Sequence, residues 1–330
     1  MSALWKIMLV FAGFSMLLVS CKNGNTGSSL QNSSTKTWGE RLGYPADKRV
    51  LILHADDIGM CEEANKAVIP YLLNDQIQSA AIMMPCAYAE EFVNWYKEHP
   101  SKDIGLHLTL TSEWKTWRWG PISDPKTVPG LVDPDGYFWH EVPDVVKHAS
   151  PEEVSREIRA QIDKALSLGI KPGHIDTHMG TLYGSLGYTK AYLQAAVDYK
   201  IPAMVIEFTE PVLKRFRAQG YPITDELIKY AADYPFPKLD DFWAVPAGDS
   251  YAAKKENFKQ LVKSLKPGIT EIIFHPSVET ENLKTITNSW QQRVWEAQMF
   301  ADPEIIQFLK DEGILFTNWK EIMKRFNKMK

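Results

Sequence analysis

Short apolar segments alternate with helix-like segments along the chain from Lys48 onward. The apolar segments are bounded by glycine, proline or polar residues, a pattern typical of buried strands. Parallel strands with outer helices are the simplest arrangement for such alternation. The predicted strands are VLILHA (50–55), SAAIMM (79–84), IGLHLTL (104–110), GHIDTH (173–178), AMVIEF (203–208), DFWAVP (241–246), TEIIFHP (270–276) and ILFTNW (314–319).

Helical patterns lie between these strands. The clearest begins where Ser150 can cap a helix, Pro151 fits its first turn and Glu153 completes a capping box, and it ends at Gly169. Strand–helix alternation over roughly 270 residues predicts an α/β fold, a single TIM-like (β/α) barrel that is irregular or one strand short. A doubly wound open sheet is the competing topology. The predicted helices cover residues 62–73, 88–98, 150–169, 189–199, 251–265 and, as an amphipathic helix facing the core, 288–300.

The first twenty residues follow a different pattern. Lys6 is their only charge, and residues 7–19 are continuously apolar but too short to span a membrane as a mature helix. The following Leu-Val-Ser-Cys resembles a bacterial lipobox, which predicts a lipoprotein signal peptide over 1–20, a lipid on Cys21 and anchoring to the membrane of the bacterial cell envelope. A free cysteine after an apolar segment is the alternative. We predict a polar tether over 21–45 and one barrel domain over 46–330.

Composition and charge limit the kinds of molecule that we expect the protein to bind. The chain has 330 residues, 45% of them apolar, and a net charge of −4 without lysine or arginine blocks, so we predict no nucleic-acid partner. The sequence is also compatible with a homodimer. Cys61 and Cys86 lack metal-type spacing, and we expect two buried thiols, with a disulfide as the alternative because each follows a predicted strand.

Side chains that can bind a metal or transfer a proton recur at the carboxyl ends of the predicted strands. In a parallel sheet or barrel these carboxyl ends meet at one rim, where catalytic groups usually lie. Four of the eight histidines of the chain fall in this group, which packing alone explains poorly. The group comprises Asp56, Asp57, His107, His174, Asp176, His178 and His275.

The adjacent acids Asp56 and Asp57 suggest a cation, because two carboxylates side by side repel each other in a partly desolvated place. His178 is the last of three alternate residues on one face of GHIDTH and lies nearest the rim. With His107 and one acid it forms a two-histidine, one-carboxylate set that suits one divalent cation, zinc or magnesium. Asp57 can turn toward the metal while Asp56 faces a bound water.

Several separated motifs resemble those of the YdjC-like carbohydrate deacetylases, which include diacetylchitobiose deacetylases. The motifs are ADDIG, GLHLTLTSE, PGLVDPDGYF, EEVSREIRAQI, HIDTH and HP, between about residues 49 and 275. The resemblance implies an irregular (β/α) barrel, a divalent metal and removal of N-acetyl groups from amino sugars. It also implies Asp57, His107 and His178 as metal ligands, Asp56 as general base and His275 as a catalytic or substrate-orienting histidine.

One departure from the family concerns the residues after His178. Many members continue with further alternating histidines, whereas Met179 to Leu182 follow here, so the resemblance does not extend to the substrate contacts or to the residues that support the metal ligands, while the ligands themselves are retained. The long segment 112–143 lacks a helical or strand period and is predicted to be a rim loop. Its aromatic side chains either stack on sugar faces or pack the loop onto the barrel or a second subunit. The predicted substrate-binding residues are Trp114, Trp117, Arg118, Trp119 and Glu207, the last with a rim salt bridge as its alternative.

The predicted function is therefore a metal-dependent hydrolase that removes N-acetyl groups from amino-sugar-containing oligo- or polysaccharides and releases acetate. Two alternatives remain at this stage. One is another metal-dependent amide or phosphoester hydrolase. The other is a lipid-anchored sugar-binding protein without catalysis, although the complete Asp56, Asp57, His107 and His178 set argues against that class.

Overall fold

The computed structural model describes residues 36–329, so the predicted signal peptide and Cys21 lie outside the described range. Within that range no helix combines the length and apolar character needed to cross a bilayer. The described residues contain the strands β1 (Arg49–Ile58), β2 (Ser79–Ile82), β3 (Ile104–Leu108), β4 (Ile175–Thr177), β5 (Asp241–Ala244), β6 (Gly268–Phe274) and β7 (Leu315–Phe316).

The seven strands form one parallel sheet in the order β4-β3-β2-β1-β6-β5, with β7 paired to the start of β1. Residues 203–206 lie between the two edge strands, β4 and β5. Ala203 forms an isolated parallel bridge with Ile175 of β4, and Ile206 forms one with Leu239, just before β5. The sheet is therefore curled, and the fold is α/β and barrel-like. This curling brings the carboxyl ends of distant strands to one rim.

Helices surround the sheet and match most of the sequence prediction. The Ser150 side chain accepts the backbone N–H of Glu153, and the Glu153 side chain accepts that of Ser150, as the capping box predicts. The helices are α1 (Trp38–Arg41), α2 (Glu62–Leu73), α3 (Ala89–Glu98), α4 (Val142–His148), α5 (Pro151–Ser167), α6 (Leu186–Tyr199), α7 (Glu210–Ala218), α8 (Asp225–Ala232), α9 (Tyr251–Ser264), α10 (Glu281–Ile286), α11 (Trp290–Met299), α12 (Pro303–Asp311) and α13 (Trp319–Asn327).

Two predicted strands differ from the structure. AMVIEF is not a continuous strand, because Met204 bonds to β4 and Val205 bonds to Leu239, so the segment crosses between its neighbours. The strand predicted at 173–178 is reduced to β4, and His178 begins a short 3-10 segment, His178–Tyr183. Within that segment Met179 has a φ of 52°, which re-aims the chain directly after His178.

The first described residues pack on the end of the barrel where the strands begin, here called the base. The backbone N–H groups of Trp38 and Gly39 donate to the Asp240 carboxylate at 2.7 and 2.9 Å. A Cβ on Gly39 would lie 3.2 Å from the Cα of Gly268, the first residue of β6. The described residues therefore start at the base, opposite the rim.

Most of the core is apolar and lies between sheet and helices. It includes Cys61 and Cys86, which are both buried and free. Burial raises the pKa of Cys61 to about 12 and that of Cys86 well above its usual value. The two thiols thus behave as small core residues, as predicted, and the disulfide alternative is not formed.

Candidate metal-dependent active site

The end of β1 carries the two adjacent carboxylates. The pairing of β1 with β2 shifts register between Ala55 and Ile58, and Asp57 has a φ of 61°, which is uncommon for a residue other than glycine. Neighbouring residues in a regular strand face opposite sides. Here, instead, Oδ1 of Asp56 and Oδ1 of Asp57 both lie within 3.7 Å of a ring nitrogen of His107. This local distortion lets both acids act at one place.

The three predicted metal ligands meet at this point. Oδ1 of Asp57 lies 3.2 Å from Nδ1 of His178 and 3.5 Å from Nε2 of His107. The two ring nitrogens are 3.2 Å apart. All three side chains are buried, and their donor atoms form a compact set that can hold a cation. Such a set is expected for ligands of one metal.

Two further carboxylates decide which ring nitrogens point inward. Nδ1 of His107 lies 2.6 Å from Asp176, and Nε2 of His178 lies 3.0 Å from Glu113. If each neutral ring donates its N–H to that carboxylate, His107 Nε2 and His178 Nδ1 face each other as lone pairs, which cannot hydrogen-bond together. Asp57 Oδ1, beside them, is buried without a hydrogen-bond partner. These residues fit a cation between them.

The electrostatics of the centre favour positive charge. Burial lowers the pKa of the His178 ring, but Glu113 and Asp57 outweigh burial and raise it to about 10. Burial raises the pKa of Asp57, but the Arg293 guanidinium and His178 hold it well below its usual value. Nη2 of Arg293 donates to Asp57 Oδ2 at 2.7 Å and leaves Oδ1 toward the histidines. In chemical terms, a cation at this point would replace a proton.

Asp56 lies beside the three ligands, with its two oxygens in different surroundings. Oδ1 is 3.0 Å from Nε2 of His54, and Oδ2 is 4.0 Å from Nε2 of His275. His275 remains about one-third exposed at the rim, whereas Asp56 is buried. The backbone N–H of His275 donates to Glu296 at 2.6 Å, and Glu296 pairs with buried Lys254 at 2.8 Å. The predicted base and the predicted histidine thus share one side of the centre.

Sequence reasoning missed four residues that organise this centre. Glu113, Arg293 and Glu296 contact predicted site residues, and Asp176 was placed on the correct face but given no role. A signal was present in α11, where Arg293 and Glu296 occupy the buried face of a helix predicted to face the core. A charged residue on such a face needs a partner, which points to an acidic or polar interior.

A buried polar layer lies below the centre. Nε2 of His54 is 3.1 Å from Asp176 Oδ2, and His174 approaches the same oxygen at 3.5 Å. A Cβ at Gly105 would lie 2.3 Å from the His174 ring, so only glycine on β3 leaves room for it. Asp176 therefore joins this layer to His107 and fixes the orientation of that ligand.

The predicted substrate-binding residues are dispersed. The Trp119 ring lies 6.3 Å from the His178 ring and 5.4 Å from that of Trp114, so both border the centre. Trp117 donates to the backbone of Met60. Arg118 directs its donors at Ser112, Asp133, Phe138 and His140 within the loop.

Glu207 is not brought to the rim. Its carboxylate accepts the indole N–H of Trp38 at 2.7 Å and lies 3.5 Å from Lys238. Because Trp38 belongs to α1 at the base, these contacts of Glu207 lie at the base and not at the rim, where both sequence-based interpretations placed the residue. Its use by substrate at the rim would require a different geometry.

The family model described as "YdjC-like protein" matches residues 50–311. A carbohydrate deacetylase of Thermoanaerobacter pseudethanolicus is 30% identical over 274 residues, covering 82% of this chain and 98% of the relative. One from Thermus thermophilus is 30% identical over 277 residues, covering 82% and 93%.

Among solved structures, a protein from Enterococcus faecalis V583 named for cellobiose-phosphate cleavage superposes with a TM-score of 0.69. It is 24% identical, with coverage of 83% of this chain and 98% of that one, and it supports the α/β barrel-like fold. The curated relatives confirm the prediction of an enzyme of the carbohydrate deacetylase class. The chain belongs to the YdjC-like protein family.

Proposed function

We propose that the protein is a metal-dependent hydrolase that removes N-acetyl groups from amino-sugar-containing saccharides and releases acetate. One observation carries the metal dependence: the partnerless Oδ1 of Asp57 faces ring nitrogens of His107 and His178 whose opposite nitrogens are held by carboxylates. Family membership and the curated relatives support the reaction class.

Asp57, His107 and His178 would hold the cation. Two imidazoles with one carboxylate suit zinc better than magnesium, which prefers an all-oxygen shell. When bound, such a cation polarises the acetamide carbonyl and lowers the pKa of water. Asp176 and Glu113 keep the two rings in place through their outer nitrogens.

Asp56 and His275 supply the proton transfers. Asp56 Oδ2, directed toward His275, accepts the proton of the attacking water, while His54 holds Oδ1. As the carbon–nitrogen bond of the acetamide breaks, protonated His275 donates to the leaving sugar amine. Acetate and the free amine are the products. Glu296, fixed by Lys254, holds the backbone at His275 and so positions the proton donor.

An acetate-release screen over N-acetylated oligosaccharides, with zinc and with chelator, tests this proposal. We expect release that chelator abolishes and zinc restores. Asp56→Asn should retain metal and lose turnover by about 10²-fold or more, the usual effect of removing a general base. His107→Ala should lose the metal. Full activity of Asp56→Asn would exclude Asp56 as base, and phosphate release from phosphorylated sugars without acetate release would exclude deacetylation.

Attachment to the cell envelope belongs to the same proposal. The lipobox-like sequence before Cys21 and the polar residues after it support lipid modification of that thiol. Mass spectrometry of the N-terminal peptide isolated from bacterial membranes should show Cys21 as the first residue, carrying acyl chains. An unmodified N-terminus in protein recovered from the membrane fraction would contradict it.

A further inference from the structure

A lysine-lined groove lies at the base of the barrel, away from the candidate active site. It runs past the segments that precede β3 and β4 and along α13, and none of its lining residues is acidic. Its two sections share Lys171 and Lys320. The lysines that line it are Lys97, Lys171, Lys200, Lys320 and Lys324.

Three of these lysines carry charge that the protein leaves uncompensated. Lys97, Lys171 and Lys200 are exposed, and none has a carboxylate within 4.0 Å in the part of the chain that the structure describes. Lys320 differs, because it donates to the backbone carbonyls of Pro100 and Lys102 and braces the groove.

Three acids near the base are paired with other basic residues, whereas Asp103 is buried beneath Gly173 of the groove and accepts the backbone N–H of Trp319. Asp47 lies 3.8 Å from Lys48, Asp75 lies 2.7 Å from Lys102, and Glu321 lies 2.9 Å from Arg325. These contacts satisfy the acids with lysines and arginines outside the uncompensated group. A protein of net charge −4 therefore presents a local positive surface at its base.

The start of the described chain lies beside this surface. Arg325 on α13 donates to the carbonyl of Leu42 and stacks 4.2 Å from the Tyr44 ring, while Lys320 and Lys324 of the same helix line the groove. Leu42 and Tyr44, near the start of the described chain, therefore contact the same helix that carries Lys320 and Lys324.

The length of chain before residue 36 fits the same geometry. Fourteen residues lie between Cys21 and residue 36, and this length of chain can reach at most about 50 Å. A lipid on Cys21 would therefore allow the base to reach the bilayer.

We propose that the groove is a docking surface for an anionic phospholipid membrane. Lipid phosphates would lie against Lys97, Lys171 and Lys200, so the anchored enzyme rests on its base with Asp56 and His275 facing away from the bilayer. Juxtamembrane lysines are attracted to anionic lipid within about a Debye length, and each changes partitioning by roughly fivefold. The orientation depends on the proposed lipid at Cys21, whereas the charge-dependent docking does not.

Sedimentation with vesicles tests the docking apart from the lipid. The probe is residues 22–330, which contain the whole described fold and lack the signal peptide and Cys21. Vesicles of one part phosphatidylglycerol to two parts phosphatidylcholine should bind this chain at low salt, and pure phosphatidylcholine should not. Lys97→Glu/Lys171→Glu/Lys200→Glu should weaken binding by more than about 10²-fold, because it reverses three charges that each change partitioning about fivefold. The corresponding glutamine variant should lose less.

A matched variant, Lys126→Glu/Lys147→Glu/Lys214→Glu, changes three exposed lysines outside the groove and should bind like the parent. Urea midpoints within error of the parent should show that all variants are folded, and acetate release should not change in the groove variants. Equal binding by the groove variant and the parent would overturn the proposal, as would a parent chain that fails to distinguish the two vesicles. Release by inorganic phosphate beyond that of chloride at equal ionic strength would also overturn it, because it indicates a small-anion site.

Discussion

At the scale of single residues, the two ligand histidines owe their orientation to carboxylates that do not bind the cation. Glu113 comes from the first residues of the long rim loop, 65 positions before His178. We expect Glu113→Ala to weaken zinc binding by about 10- to 100-fold, since the free Nε2 lets the His178 ring turn away. Competition with a chromophoric chelator measures this affinity.

The control for that variant is Glu141→Ala, an exposed acid of the same loop region whose side chain caps nothing. It should leave zinc affinity within twofold of the parent. An affinity equally unchanged in Glu113→Ala would mean that the ring of His178 is held by packing against Trp119 instead.

Arg293 compensates Asp57 from 236 positions away, and no local pattern in the sequence could reveal that partner. Its removal leaves a buried carboxylate unpaired, which usually costs about 3–5 kcal/mol. We expect Arg293→Met to lose about that much unfolding free energy in chelator and clearly less in excess zinc, because the cation supplies positive charge to the same carboxylate. Urea unfolding in the two conditions measures the difference.

Arg217→Met, which removes an exposed arginine 4.0 Å from Asp225, should change the unfolding free energy by less than about 1 kcal/mol in both conditions. A loss in Arg293→Met that zinc does not reduce would assign Arg293 to packing against Trp114 rather than to charge compensation.

The buried thiols give a prediction about pH. Because burial raises the pKa of Cys61 to about 12, the nucleophilic thiolate is only about 10⁻⁴ of the population at pH 8 and still only about 10⁻² at pH 10. We expect neither Cys61 nor Cys86 to react with a disulfide reagent in the folded chain of residues 22–330, and both to react in urea. Fast reaction of the folded protein at pH 8 would contradict the buried geometry.

At the scale of elements, the sequence predicts well where local signals agree. The α5 cap and the strand at β1 follow from Ser150, Glu153 and an unbroken apolar run. It predicts poorly where tertiary pairing decides, as in AMVIEF, whose backbone bonds are divided between β4 and Leu239. Strand parity selected His178, and the structure places this residue beside Asp57 and His107 although it begins a 3-10 turn, because β4 still directs the chain toward the rim.

The conformation of the rim loop also depends on a tertiary contact that the sequence does not reveal, namely its contact with one buried acid of α5. Both oxygens of Glu157 accept backbone N–H groups of the loop, from Ile122 and Ser123, each at 2.9 Å. Glu157→Ala leaves these groups without an acceptor, which should cost about 1–3 kcal/mol of unfolding free energy. Urea unfolding measures the cost, and limited proteolysis should cut more readily within residues 112–143.

Glu152→Ala, at an exposed position on the same helix, should leave both stability and cleavage unchanged. Glu157→Gln should lie between the two, because the amide keeps one of the two acceptors. Equal proteolysis of Glu157→Ala and the parent would show that the aromatic side chains alone hold the loop.

At the scale of the whole molecule, the curled sheet separates two ends with different chemistry. The rim gathers Asp57 of β1, His107 of β3 and His178, which directly follows β4, whereas the base gathers lysines and the start of the described chain. The side chains at the carboxyl ends of these strands could be identified from the sequence alone. The contacts of Arg293 and Glu113 could not, because they depend on how helices and loops fold back over the rim.

Because the three ligands come from separate strands, a bound cation should cross-link the barrel. Zinc at 100 times its dissociation constant should add about 2.7 kcal/mol to the unfolding free energy, provided that the unfolded chain does not bind it. His178→Ala should abolish this gain while His148→Ala, an exposed histidine of α4, should keep it. Urea midpoints in zinc and in chelator measure both. A gain that survives in His178→Ala would place the cation elsewhere, for example among His54, His174 and Asp176.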